Sequence, residues 1–229
     1  MQKNRPLASV WIVLNNPEMD SPRIAELLRP FTGDAELRAE MLDQFRLYLD
    51  LLLRWNARVN LTAVREPEQI VTRHFGESLF VARMLDAQAS RPITLADVGS
   101  GAGFPGIPIK LWTPHLELTL IESQNKKATF LREALRTLKL DRAQVFCGRA
   151  EQWGQTADLL TLRAVEQFER ALPVAAPLVR QGGRLCLLIG SSQINSAREL
   201  SGEQWTWHDP LPVPRSTGRV LLIGERRSS

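Results

Sequence analysis

The chain has 229 residues, of which 44% are hydrophobic and 24% charged, with a formal net charge of +4. This is enough for one α/β domain with a proper core and an added subdomain. Its two cysteines, Cys147 and Cys186, lie in apolar runs and predict buried reduced thiols rather than a disulfide, which favours the cytoplasm. Three scattered histidines and no C-x-x-C argue against a structural metal site, and the mild basic bias is compatible with nucleic acid without requiring it.

Residues 1–20 read as a poorly ordered tail. The apolar run Leu7–Leu14 is too short to span a bilayer and is followed by no small-residue cleavage site. Met19 is a candidate for the true start, since helical patterning begins only after Ser21-Pro22; an intact mass from the native host decides it. Residues 21–90 are expected to form a helical extension. Within it Met41, Phe45, Tyr48, Leu52, Trp55 and Val59 recur at spacings of four and three. That apolar stripe predicts a helix over 34–59, capped by Asp34. Asn60-Leu61-Thr62 breaks the pattern, and Glu66-Pro67-Glu68 opens a second helical stretch reaching Leu85. The polar cluster Arg73-His74-Phe75-Gly76-Glu77-Ser78 either projects over the active site or is a solvated helix face with His74 at its boundary, and periodicity favours the second.

The core spans 91–229 and is organised around Asp97-Val98-Gly99-Ser100-Gly101-Ala102-Gly103-Phe104-Pro105-Gly106. It follows the apolar strand Ile93–Ala96 and precedes the helix beginning at Ile107, a strand–glycine turn–helix corner suited to a nucleoside ligand. Gly101, Gly103 and Gly106 fit a dinucleotide turn; Asp97, Gly99, Gly101 and Gly103 fit the acidic-start turn of S-adenosylmethionine (AdoMet) methyltransferases. A carboxylate at Asp97 opposes a pyrophosphate and suits the cationic amino group of AdoMet. Glu122 ends the next strand about 20 residues on, where a ribose-binding acid is expected; the competing reading is a strand-to-helix cap helped by Ser123.

The following helix carries Lys126, Lys127, Arg132 and Arg136 outside a buried stripe of Phe130, Leu131, Leu135 and Leu138. It is either an RNA-binding surface or a solvated basic face. Strand three, Gln144–Cys147, leads to Gly148-Arg149-Ala150-Glu151, beside the expected nucleoside base, where Glu151 can accept from an adenine amino group and Ala150 offers its amide. Strand four, from Ala157, ends in Arg163. An arginine closing an apolar strand at the ligand crevice is read as functional rather than as a mere ion pair. A helix over 165–179, a turn at Gly182-Gly183, a strand over 184–189 and two closing strands complete the chain.

From Tyr48 to Ile223 the chain resembles the glucose-inhibited division protein B family, the bacterial 16S ribosomal RNA guanine-N7 methyltransferases. The resemblance rests on Trp55-Asn56 with Asn60-Leu61-Thr62, Arg73-His74, Asp97–Pro108, Glu122-Ser123 with Lys126-Lys127, Gly148–Glu151, Arg163-Ala164, Gly182-Gly183 and Arg219. It implies a class I AdoMet-dependent methyltransferase, with a Rossmann-like, seven-stranded, mostly parallel sheet and a helical amino-terminal extension. Carried over by position, Gly99, Phe104, Ala150, Glu151 and Arg163 are expected to contact AdoMet, with Glu122 on the ribose. Arg163, His74 and Asn60 are candidates for holding the target guanine, position 527 in the family's naming, in 16S RNA or an assembling small subunit. The chain departs from the family pattern in having Glu77 where aspartate is usual, and Ile189-Gly190 where a lysine precedes the glycine.

Guanine N7 has an in-plane lone pair and no proton to lose, so no general base is expected, and none of the usual acid–base pairs is visible. Rival readings are a metabolite methyltransferase on the same fold, a nicotinamide-binding reductase, and a catalytically silent RNA-binding relative.

Overall fold

The computed structural model describes residues 19–85, 93–163 and 168–228. The expected tail therefore lies largely outside the described residues. At its end Met19 is buried in the core, and Asp20 caps the first helix by accepting from the Arg23 amide at 2.8 Å.

The extension is helical. α1 spans Ser21–Thr32 and α2 spans Ala39–Asn56. The predicted cap is wrong: α2 starts after Arg38, and Asp34 sits exposed in the link. The predicted stripe holds at Met41, Phe45, Tyr48 and Leu52, which are all buried, and at Trp55, which is half-buried; the helix ends at Asn56, so the half-buried Val59 lies beyond it. α3 (Pro67–Ile70) then widens into a π-helical turn, Val71–Gly76, before α4 (Glu77–Leu85) resumes regular winding. Such wide turns break the regular side-chain register and recur at functional sites. Here the turn lays Gly76 against the Phe31 ring, where a Cβ would come within 2.5 Å of the ring carbons.

The core alternates strand and helix: β1 (Thr94–Val98), α5 (Gly106–Trp112), β2 (Glu117–Glu122), α6 (Asn125–Thr137), β3 (Ala143–Cys147), β4 (Ala157–Arg163), α7 (Phe168–Ala175), β5 (Val179–Gly190), α8 (Ile194–Ser201), β6 (Trp205–Trp207), β7 (Leu211–Pro212) and β8 (Arg219–Arg226). The sheet order is β3-β2-β1-β4-β5-β8-β6, with the two-residue β7 added on β8. β1 to β5 pair in parallel, and β8 runs antiparallel to β5 and β6. The seven-stranded expectation is met along the main path.

One further boundary and one burial differ from expectation. α7 is shorter than the helix predicted over 165–179, because Ala176–Leu178 tightens into a 3-10 turn and Val179 already pairs with Ala157. Cys147 is half-buried rather than buried, its thiol donating to Asn125 Oδ1, whereas Cys186 is fully enclosed; both are free.

Parallel strands covered on both faces read as continuous apolar runs, and the side chains here divide cleanly. Leu95, Leu118, Leu120 and Leu159 pack with α1, α2, α4, α5 and α6. Ala96, Val98, Leu160 and Leu162 pack on the other face with α7 and α8. The extension is thus one wall of the main core. Among the described residues no helix is long and apolar enough to cross a membrane.

Candidate active site

The strand order reverses between β1 and its neighbours β2 and β4, and ligands of open α/β sheets collect at such a point, beyond the carboxyl ends of the strands. The glycine turn leaves β1 there. Gly99, Gly101 and Gly103 all have positive φ, and at Gly103 the need is steric as well. With φ at 88°, a Cβ would sit 2.5 Å from Ile107 Cδ1 and 2.6 Å from the Tyr48 hydroxyl. That hydroxyl donates to the Ala102 carbonyl, so α2 of the extension braces the loop from beneath.

Two acids shape the turn from inside. Asp97 is fully buried; Oδ1 accepts from Thr161 Oγ1 at 2.7 Å and Oδ2 from the Gly106 amide at 3.3 Å. Burial pushes its pKa up to about 6, against the opposing hydrogen bonds from Thr161 and Gly106. The carboxylate expected to meet an amino group thus lies under the loop, tying β1 to β4 and to the start of α5. Glu122 is also buried; Oε2 accepts from the Gly101 amide at 2.9 Å and Oε1 from the Gln124 amide at 2.8 Å. It fastens the glycine turn to the end of β2, while Ser123 stays exposed and α6 has no side-chain cap.

Above these supports opens a cavity of about 580 Å³, lined by Val98, Gly99, Ile121, Ser123, Gly148–Glu151 and the α7 residues Arg170, Ala171 and Val174. Its size and mixed lining suit a nucleoside-bearing ligand. Of the predicted cofactor residues, Gly99, Ala150 and Glu151 reach this cavity. Phe104 does not: it is 8% exposed and stacks on His74 with ring centroids 4.8 Å apart, with Tyr48 and Phe75 behind it.

Arg163 is elsewhere too. Its guanidinium, 7% exposed, turns onto the extension. Nη2 donates to Glu77 Oε2 at 2.9 Å, to the Arg73 carbonyl at 2.6 Å and to His74 Nδ1 at 3.2 Å. The ion pair that sequence reasoning ranked second is therefore present. Burial lowers the Arg163 pKa to about 10, with Glu77 opposing; burial likewise raises that of Glu77, against Arg163 and Arg219. His74 is tied at both nitrogens, its Nε2 lying 2.7 Å from Thr62 Oγ1. Because Nδ1 accepts from Arg163, the neutral ring carries its proton on Nε2 and donates it to Thr62. Burial and then Arg163, Arg73 and Arg219 hold its pKa at about 3.

The segment read as a solvated helix face is thus the lock between extension and core, with Glu77 and Ser78 buried. Helical periodicity missed this because a π-helical turn does not keep it; Gly76 directly before Glu77 was the available signal. Asn60 is exposed, while its neighbour Asn56 does the ordering, bonding the Leu61 and Thr62 amides through Oδ1 and the Thr62 carbonyl through Nδ2. Lys126, Arg132 and Arg136 are exposed along α6, and Lys127 is half-buried. No group of three or more potential metal ligands occurs among the described residues.

The family model for rRNA small subunit methyltransferase G (GidB) matches residues 41–209, which include α2, the glycine turn, the cavity and the Arg163–Glu77 lock. The chain belongs to that family. A protein of Xanthomonas campestris pv. campestris (strain B100), named ribosomal RNA small subunit methyltransferase G, is 39% identical over 213 residues, covering 89% of this chain and 93% of its own. Among solved structures, a ribosomal protein L11 methylase from Lactobacillus delbrueckii subsp. bulgaricus superposes with a TM-score of 0.54 at 14% identity, over 67% of this chain and 80% of that one. M. jannaschii TYW2 in complex with AdoMet gives a TM-score of 0.52 at 12% identity, over 66% and 77%. At these identities the structures establish the fold, that of the class I methyltransferases.

Proposed function

We propose that this chain transfers the methyl group of AdoMet to N7 of one guanine in 16S ribosomal RNA, position 527 in the family's naming. The observation that carries the reading is family membership across both the glycine-turn cavity and the lock. AdoMet is the methyl donor. The fit is chemical: the backbone at Gly99 leaves room for a ligand, Ala150 offers an amide, and Glu151, exposed at the rim, can accept from an adenine amino group. Glu122, already bonded to the loop, retains acceptor capacity for a ribose hydroxyl. Bound there, AdoMet supplies an electrophilic methyl on a sulfonium, and guanine N7 accepts it with a lone pair and no proton to lose.

The protein's contribution is alignment and exclusion of water. That suits a site in which the lone pair of His74 at Nδ1 is taken by Arg163 and its Nε2 proton by Thr62, so that the imidazole removes no proton from the substrate. The basic helix α6, with Lys126, Lys127, Arg132 and Arg136, supplies counter-charge for phosphates of the RNA, in the cytoplasm and as a monomer.

The test is methyl transfer from labelled AdoMet to small subunits from a strain lacking the modification, then cleavage at 7-methylguanine. A single cut in the decoding-region loop is expected. Transfer without that cut removes the N7 assignment, and AdoMet binding without any transfer returns the metabolite enzyme or the catalytically silent RNA binder. The chemical step at saturating substrates is expected to be flat with pH around neutrality, and a steep titration there contradicts a base-free mechanism.

A further inference from the structure

The β4–β8 end of the sheet holds more positive charge than its acid neutralises. Glu77, with a side chain 3% exposed, faces two guanidiniums: Oε2 accepts from Arg163 Nη2 at 2.9 Å and Oε1 from Arg219 Nη2 at 3.2 Å. Arg73 adds a third positive charge nearby, and Asp97 a negative one, as seen by Arg163. The two arginines are not equivalent. Arg163 is enclosed and bonded to carbonyl, imidazole and carboxylate acceptors. Arg219 is 28% exposed, and its other bond runs from Nε to Ser216 Oγ at 3.3 Å. Among the described residues its Nη1 has no protein acceptor.

Its place in the sheet matters. Arg219 opens β8 opposite Gly190, the last residue of β5, and β5 lies beside β4, which Arg163 closes. Arg219 therefore stands on the carboxyl edge that also carries the cavity, a few strands along. A guanidinium held by Nε and Nη2 presents Nη1 in a fixed direction, and a planar fork so held is suited to an oxygen anion. In an RNA the anion available at every nucleotide is the phosphodiester.

We propose that Arg219 is a phosphate-binding residue that takes a phosphodiester oxygen next to the methylated nucleotide through Nη1. Glu77 is its positioning residue, holding the opposite edge of the guanidinium and tying it to Arg163. The longer glutamate, in place of the family's usual aspartate, spans both arginines at once. The proposal rests on the reading that the substrate is RNA.

The experiment uses the full chain and small-subunit RNA lacking the modification. RNA affinity is measured across salt concentrations, and AdoMet affinity separately, for wild type and Arg219→Gln. The variant is expected to bind RNA about tenfold more weakly, as for loss of one charge-assisted hydrogen bond. Its slope of log K against log salt should fall by about 0.7 to 0.9, the loss of one phosphate contact, with AdoMet affinity unchanged. An unchanged slope with intact AdoMet binding overturns the proposal. Should Arg219→Gln lose AdoMet as well, wild-type protein carries the test, with neutral methylphosphonates placed singly at the phosphates flanking the target. A lowered slope at one of them supports the contact, and none at any overturns it. Absence of RNA binding by wild type removes the RNA reading and the proposal with it, whereas wild-type RNA binding with an unaltered Arg219→Gln slope removes the phosphate contact alone.

Discussion

Over β1, β2 and β3 the carboxyl edge of the sheet is an open cavity whose lining includes four glycine or alanine residues, Gly99, Gly148, Ala150 and Ala171. Over β4 and β8 the same edge is closed by long charged side chains, Arg163, Glu77 and Arg219, drawn from three distant parts of the chain. One half is shaped by where a Cβ is absent, the other by where charges are balanced. The first should therefore respond to added volume and the second to lost charge.

The largest effect is expected at the charged half. Glu77→Ala leaves Arg163 buried without its carboxylate, and removing one partner of such a pair costs about 3–5 kcal/mol. Chemical denaturation measures it; a loss below about 1 kcal/mol would mean that water reaches the guanidinium and that the lock is a surface pair. Next comes the backbone half. Gly103→Ala places a Cβ at φ 88° against Ile107 and the Tyr48 hydroxyl. Strain and overpacking together should cost about 2–4 kcal/mol and weaken AdoMet binding, measured by calorimetric titration. Wild-type affinity there would show that the loop and α2 move apart freely.

Two buried groups, His74 and Asp97, titrate in opposite senses. His74, held at about 3, takes up a proton on unfolding between there and its ordinary value of 6.5, so its contribution to stability is lost as pH falls. Asp97, raised to about 6 from 3.8, releases a proton on unfolding, so its contribution is lost as pH rises toward 6. Between about pH 4 and 6 the two nearly cancel. His74→Gln removes the first and should leave stability falling by about 1.4 kcal/mol per pH unit as pH rises across that window. A flat profile in that variant would show that Asp97 ionises without penalty.

The smallest effect belongs to the rim. Glu151→Ala should weaken AdoMet binding about five- to tenfold, the worth of one hydrogen bond, with stability unchanged because Glu151 is exposed. An unaltered affinity would move the adenine away from this side chain.

The same contrast governs what the sequence made legible. Glycine spacing, strand runs and Gly148–Glu151 located the cavity, since each is a local pattern read within about ten residues. Asp97 and Glu122 were placed at the right strand ends, but their carboxylates turn inward to backbone amides, a choice that depends on what lies beneath the loop. The lock was not legible from periodicity. Glu77 and Arg163 are 86 residues apart, and the π-helical turn that brings them together breaks the repeat on which helical reading depends. Asp34 was a reasonable cap by residue type; the chain makes a longer link before α2 begins.

The bond from Tyr48 to the Ala102 carbonyl joins positions 54 apart, and Glu77 waits longer still, for Arg163 and then for an arginine in the last strand. Translation delivers the extension first, yet its partners arrive last. The Glu77 carboxylate must therefore stay without its second guanidinium until β8 is made, whereas the apolar stripe is covered sooner, Phe45 and Tyr48 stacking on Phe75 within the extension itself. A nascent chain stalled before β8 would carry the whole glycine turn, but Glu77 would lack the guanidinium of Arg219.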